Sequence, residues 1–284
     1  MSTTRIRKAL VVIVGIILIV FLLSIIRAFV GKPGERIGVL EIEGVIAESR
    51  QTMEDIVHYK EDPSIKGVVL RINSPGGSVG PTQEIFREVI KLKEKKKVFV
   101  SMGSLCASGG YYLAAAGEKI YASPSTITGS IGVIMQSVIL EDLLKKIGVK
   151  SNTIKAGDLK DAGTPFREMT SDERAYLDGV VKNIHEQFIK DIAAGRSMDI
   201  EKARKLADGR IYTGLQAKET GLVDNIGTFY DVVDDLQKDL GLHGKPSLVY
   251  GKRPFSFLRW LLSSAIQDII FKNTSQPVQF LYKP

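Results

Sequence analysis

A chain of 284 residues with 44% hydrophobic and 25% charged positions can bury the core of one sizeable domain and still carry appendages. Its net charge of +7 is uneven, because Arg5, Arg7, Lys8, Arg27, Lys32 and Arg36 against Glu35 put +5 of it within residues 1–36. The body is left near neutral, which excludes nucleic acid as an expected partner, and the one cysteine, Cys106, excludes an internal disulfide and a zinc ligand set.

Ala9 to Ile26 carries no charge. As a helix this run would span about 27 Å, close to the hydrocarbon thickness of a bilayer. Arg27-Ala28-Phe29-Val30-Gly31 is a poor small-x-small cleavage site, so the run reads as an uncleaved anchor rather than a removed leader. Three basic residues flank each side. The short basic amino end is expected on the cytoplasmic side and the body on the extracytoplasmic side of a bacterial-type plasma membrane, as a single-pass protein. Residues 1–34 are thus expected to form a cytoplasmic stub and anchor.

Past Lys32-Pro33-Gly34, Ile37–Ile42 and Val45-Ile46 read as strands. Gly67–Ile72 is an apolar, β-branched run that ends in Asn73-Ser74-Pro75-Gly76-Gly77. Thr82–Lys95 reads as an amphipathic helix with Ile85, Phe86, Val89, Ile90 and Leu92 facing a core. The following Val98–Met102 is a strand, and Lys119–Ala122 another. Leu140–Ile147 is expected to be helical and Val149–Ile154 a strand. Ser171 opens a long helix to about Ala194; with Ser171 as cap, Arg174 takes the acidic position and the capping box is incomplete. Ile200–Leu206 and Thr228–Leu240 complete the helices. Strands alternating with helices predict an α/β fold with its site at strand ends. The domain is expected over residues 35–250, followed by an apolar extension over 251–284 whose role is open between a subunit contact, a membrane contact and a last core helix.

The chemistry concentrates in residues 101–134. Ser108 stands between Ala107 and Gly109-Gly110, and an apolar helix-forming run follows at once. Small neighbours leave room for a substrate backbone, and a helix start offers free N–H groups. The Gly77 turn is a second glycine-rich element able to aim a donor at the same oxyanion. A serine nucleophile needs a base. His58, His185 and His243 all read as surface histidines, away from any such turn. A lysine serves where burial keeps its amine neutral, and Lys160 in Ala156–Gly163 is the candidate, against the default reading of a solvated loop lysine. Cys106 reads as a small buried residue rather than a nucleophile.

The stretches INSPGGSV, SLCASGGYYLAAA, SPSTITGSIGV and AGDLKDAGTPFREMT, in this order over roughly residues 37–240, resemble the short form of the signal peptide peptidase A family. That resemblance implies a ClpP/crotonase-like fold of repeated strand–helix units and a membrane-anchored serine–lysine endopeptidase. It puts the nucleophile on Ser108, the base on Lys160, the lysine-orienting hydroxyl on Ser130 and the oxyanion donors on the N–H groups of Gly77 and Gly109. It implies no cofactor and no metal. Its substrates would be cleaved signal peptides and other short hydrophobic peptides, its setting the lipid bilayer, and its assembly a homo-oligomeric ring in which the lysine can come from a neighbouring subunit. A non-catalytic binding or scaffold protein on the same fold is the alternative, and acyl-CoA chemistry a weaker third.

Overall fold

A computed structural model describes residues 13–21 and 35–251. Residues 13–21 are helical (α1), within the run expected to anchor the chain; the rest of that run lies outside the described residues. Among the described residues no helix is long and apolar enough to cross a membrane. Beyond Gly251, the expected extension also lies outside them.

The frame is a stack of parallel strands, β1 (Arg36–Ile46), β2 (Ile65–Gly77) and β3 (Lys97–Ala107). Helices α2 (Arg50–Glu61) and α3 (Val79–Lys93) make the two crossovers. Each strand carries an unbroken apolar, buried run, Ile37–Leu40, Gly67–Leu70 and Val98–Val100, as expected for parallel strands covered on both faces. Alternation then sorts the side chains. Val68, Leu70 and Ile72 of β2, with Val98, Val100 and Met102 of β3, join the larger core cluster beneath α3 and α4 (Gly109–Ala114). Val69 and Phe99 point the other way, into a smaller cluster closed by Val232, Val233 and Leu236 of α9 (Phe229–Asp239). Burying such a side chain contributes about 2 kcal/mol, so the paired layers hold the strand ends firmly.

The sheet is mixed and has eight strands among the described residues. Its order is β6 (Ile211–Thr213), β5 (Ile127–Gly129), β3, β2, β1 and β8 (Ser247–Tyr250). The first half of β3 pairs with β4 (Lys119–Ala122), which also pairs with β7 (Asn225–Ile226), while its second half pairs with β5. Only β5 and β6 run antiparallel. The register of β1 on β2 shifts between Glu43 and Val45, and that of β2 on β3 between Ile72 and Ser74. Both of these fall toward the carboxyl ends of the strands, while a further shift of β1 on β2, between Arg36 and Ile37, lies at the amino end.

Three further helices matter here: α5 (Glu141–Lys146), α6 (Ser171–Gly195) and α7 (Ile200–Leu206). The strand expected over Val149–Ile154 does not form; all six residues are exposed and no strand pairs with them. The capping box of α6 is complete, contrary to expectation. Its cap is Thr170, one residue earlier than Ser171, so Glu173 takes the third helical position and bonds back to the Thr170 amide at 2.9 Å. The short helix α8 (Gly214–Thr220) was not anticipated.

Candidate active site

Ser108 is the hinge between β3 and α4. Its backbone sits at φ 52° and ψ −120°, a conformation that side chains other than glycine rarely adopt. Two bonds hold it there. Its N–H donates to the Gly129 carbonyl at 2.8 Å, and its own carbonyl accepts from Tyr112 N at 2.9 Å. The result is a sharp strand-to-helix turn that leaves Ser108 half-buried between residues that are fully covered. Strain of this kind survives only where neighbouring structure over-determines it.

The glycine turn at the end of β2 lies directly against it. Gly76 is at φ 97°, and a Cβ placed there would meet Gly109 N at 2.6 Å and the Ser108 Cβ at 3.0 Å. A Cβ on Gly109 would lie 3.3 Å from Gly77 N and 3.0 Å from Thr82 Oγ1. Both amides therefore flank the serine with no side chain between them. Gly109 is the first residue of α4, where a helix leaves its N–H groups without intrahelical partners. The Ser74 hydroxyl accepts from Gly76 N at 3.0 Å, and Thr82 Oγ1 donates to the Ser78 carbonyl at 2.8 Å, so the turn is tied on both sides.

Ser130 follows β5, whose Gly129 is the register partner of Ala107 on β3. Ser108 and Ser130 are thus the next residues along two adjacent strands. Both have left-handed backbones, Ser130 at φ 49° with its N–H on the Arg210 carbonyl at 2.8 Å. Ser108, Gly109, Gly77 and Ser130 line one cleft of about 530 Å3.

Lys160 does not line that cleft. It is exposed, in a turn whose amides close locally: Lys160 N on the Gly157 carbonyl and Ala162 N on the Leu159 carbonyl, both at 3.2 Å. The turn is tied to the amino end of α6, since Arg167 bridges Asp161 and Glu173. The cleft meets α6 further along, at Ile184, His185 and Phe188. Glu173 and His185 are separated by about 18 Å of helix axis.

His185 was expected at the surface; instead it lines the cleft and its Nε2 is buried without a hydrogen-bond partner. The spacing of Ile184, His185 and Phe188, one face of α6, was the available signal. The cleft's apolar wall was missed too. Tyr112 packs between Phe86 and Phe188 with tilted rings, centroids 4.7 Å apart on each side, and its hydroxyl is tied to Asp191. Cys106 behaves as expected. It is fully buried two residues before the serine, and burial pushes its thiol well above the ordinary range, so it offers no thiolate at neutral pH.

A hydroxyl in a strained turn, two glycine amides close beside it and a cleft with apolar walls fit a serine hydrolase built on a mixed α/β sheet. The comparisons with known proteins narrow the class. The family model described as Peptidase family S49 matches residues 90–243, and that of Clp protease matches residues 35–129. The chain is 34% identical over 252 residues to a candidate signal peptide peptidase SppA of Enterococcus faecium, covering 84% of this chain and 73% of that relative. It is 32% identical over 252 residues to the chloroplastic serine protease SPPA of Arabidopsis thaliana, covering 87% of this chain and 37% of that relative. Protease 4 of Haemophilus influenzae is 31% identical over 213 residues, with 72% of this chain and 34% of the relative covered. The chain belongs to peptidase family S49, the family of signal peptide peptidase A, and is a serine protease whose substrates are peptides.

Proposed function

We propose that the protein is a membrane-anchored serine–lysine endopeptidase that cleaves signal peptide remnants and other short hydrophobic peptides. In this reading Ser108 attacks the peptide carbonyl and a neutral Lys160 takes its proton. The N–H groups of Gly77 and Gly109 stabilise the oxyanion, each donor being worth about 3 kcal/mol of barrier. Protonated Lys160 then delivers its proton to the leaving amine. Water, activated by the same lysine, releases the acyl group from Ser108, and the Ser130 hydroxyl holds the amine in line.

One observation carries the assembly: the Lys160 turn is tied to one end of α6 while the Ser108 cleft lies about 18 Å along the same helix. This supports a base supplied by a neighbouring copy. The exposed apolar stretch between cleft and turn supports the same arrangement, with Ile134 89%, Val138 63%, Leu143 55% and Ile154 94% exposed. Packed against a second copy, that stretch would be covered, and Lys160 would lose water in the interface, which favours its neutral form. A closed ring follows when the contact is head-to-tail. The apolar run Ala9–Ile26 supports attachment to the bilayer, with the protease domain outside the cytoplasm.

The test is complementation. Ser108→Ala and Lys160→Ala copies should each be inactive on a fluorogenic hydrophobic peptide. Oligomers assembled from a mixture of the two should regain turnover, because some sites would pair an intact Ser108 with an intact Lys160. Turnover retained by pure Lys160→Ala protein would remove the lysine mechanism; no recovery on mixing would remove the neighbouring-copy arrangement.

A further inference from the structure

The turn that carries Lys160 begins and ends on left-handed glycines, Gly157 at φ 97° and Gly163 at φ 80°. Such a turn has little intrinsic stiffness, and Lys160 itself is exposed. Its shape is imposed from outside. Lys155 donates to the Asp158 carbonyl at 2.6 Å and pairs with the Asp161 carboxylate, gripping both flanks of Lys160. Arg167 makes the longer connection. Its Nη2 and Nε donate to Asp161 Oδ2 at 2.9 and 3.3 Å, and its Nη1 donates to Glu173 Oε2 at 2.9 Å. Glu173 is only 3% exposed and is locked into the capping box of α6. The far half of α6 buries Phe188, Ile189 and Ile192 in the main core. A continuous rigid path therefore runs from the core, along α6 and through one guanidinium, to the residue next to Lys160.

We infer that Arg167 is a positioning residue for Lys160: it clamps Asp161 onto the buried end of α6 and so fixes where the amine is presented. The inference rests on Lys160 being the catalytic base. A guanidinium suits the task because its planar fork reaches two carboxylates at once, which a lysine ammonium cannot reproduce. Burial of Glu173 makes the anchor immobile. The burial of both carboxylate side chains, 13% exposed at Asp161 and 5% at Glu173, separates this bridge from ordinary surface ion pairs such as Arg204–Glu186, where both side chains are about 40% exposed.

The experiment compares the full-length oligomer with Arg167→Gln, Arg167→Lys, Asp161→Asn, Lys160→Ala and the control Arg204→Ala. Hydrolysis of a fluorogenic hydrophobic peptide gives kcat and KM; sedimentation and thermal melting report assembly and folding. Arg167→Gln and Asp161→Asn should each lower kcat about tenfold or more with KM within about twofold and the oligomer retained, since a small misplacement of a catalytic group has effects of this order. Arg167→Lys should recover little, and Arg204→Ala should match the parent protein. If Lys160→Ala is inactive but Arg167→Gln and Asp161→Asn keep kcat within about twofold, the inference is overturned while the base assignment stands. If kcat falls only in step with lost assembly or folding, Arg167 is structural and the inference is again overturned. If Lys160→Ala remains active, the base assignment fails and this inference falls with it.

Discussion

Ser108 donates its backbone N–H to the carbonyl of Gly129, 2.8 Å away, and Gly129 is the residue before Ser130. One hydrogen bond thus couples the two serines of the cleft through the pairing of β3 with β5. Both serines pay for their placement with left-handed backbones, at φ 52° and 49°.

Substituting Ser130 separates that strain from its use. Ser130→Gly should relieve the backbone and raise stability by up to about 1 kcal/mol, seen as a higher melting temperature. In the proposed mechanism it should also lower kcat about tenfold or more, since the hydroxyl proposed to orient the lysine is gone. Unchanged kcat in a stable variant would show that the hydroxyl has no such role.

Gly76 leaves no room for a side chain. Gly76→Ala would put a methyl group 2.6 Å from Gly109 N and force φ 97° on alanine. Peptide hydrolysis should fall by about a hundredfold or more, because the amides proposed as oxyanion donors would be displaced, with a stability loss of about 1–3 kcal/mol. Gly109→Ala, whose nearest contact is the Thr82 hydroxyl at 3.0 Å, should be the milder of the two in a thermal melt.

Cys106 should resist alkylation in the folded protein, and Cys106→Ala should keep hydrolytic activity while costing about 1–2 kcal/mol of stability. Because burial raises the thiol above its unfolded value, the folded state holds its proton after the unfolded chain has lost one. Its contribution is therefore complete below about pH 8.5 and declines as pH rises beyond that. Denaturant titrations at pH 8 and pH 10 should show a smaller alkaline loss in Cys106→Ala than in the parent.

The clamp at α6 responds to acid. Arg167 holds Glu173 at about 2, and Lys155 with Arg167 holds Asp161 at about 2, both well under the usual carboxylate range. Groups lowered in the folded state stabilise it above their unfolded values and lose that contribution as pH falls toward the folded ones. Amide exchange over residues 155–173 should accelerate between about pH 4.5 and 2 relative to the central strands. Equal acceleration throughout would count against a local clamp.

Much of the centre was legible in the sequence because its physics is local. The β-branched runs of β2 and β3, the glycine pair after Pro75 and the serine before Gly109-Gly110 each announce a strand, a turn or a helix start through neighbouring residues alone. The helix over Thr82–Lys95 was legible by its period, though it begins at Val79. What failed depends on partners distant in the chain. Val149–Ile154 has β-forming residues but no adjacent strand to pair with, and it stays exposed. Arg50–Glu61 buries only Ile56 and Tyr59, too few for a visible periodicity. His185 sits seventy-seven positions from Ser108 in the chain, and only the packing of α6 across the cleft brings them together.

The strand β5 is only Ile127–Gly129, and it pairs outward with the equally short β6. The backbone of Ser108 is thus fastened at a thin margin of the sheet, while the bulk of the fold is secured elsewhere. Warming would fray that margin ahead of global melting, so heat would silence the enzyme while most of its structure still stood.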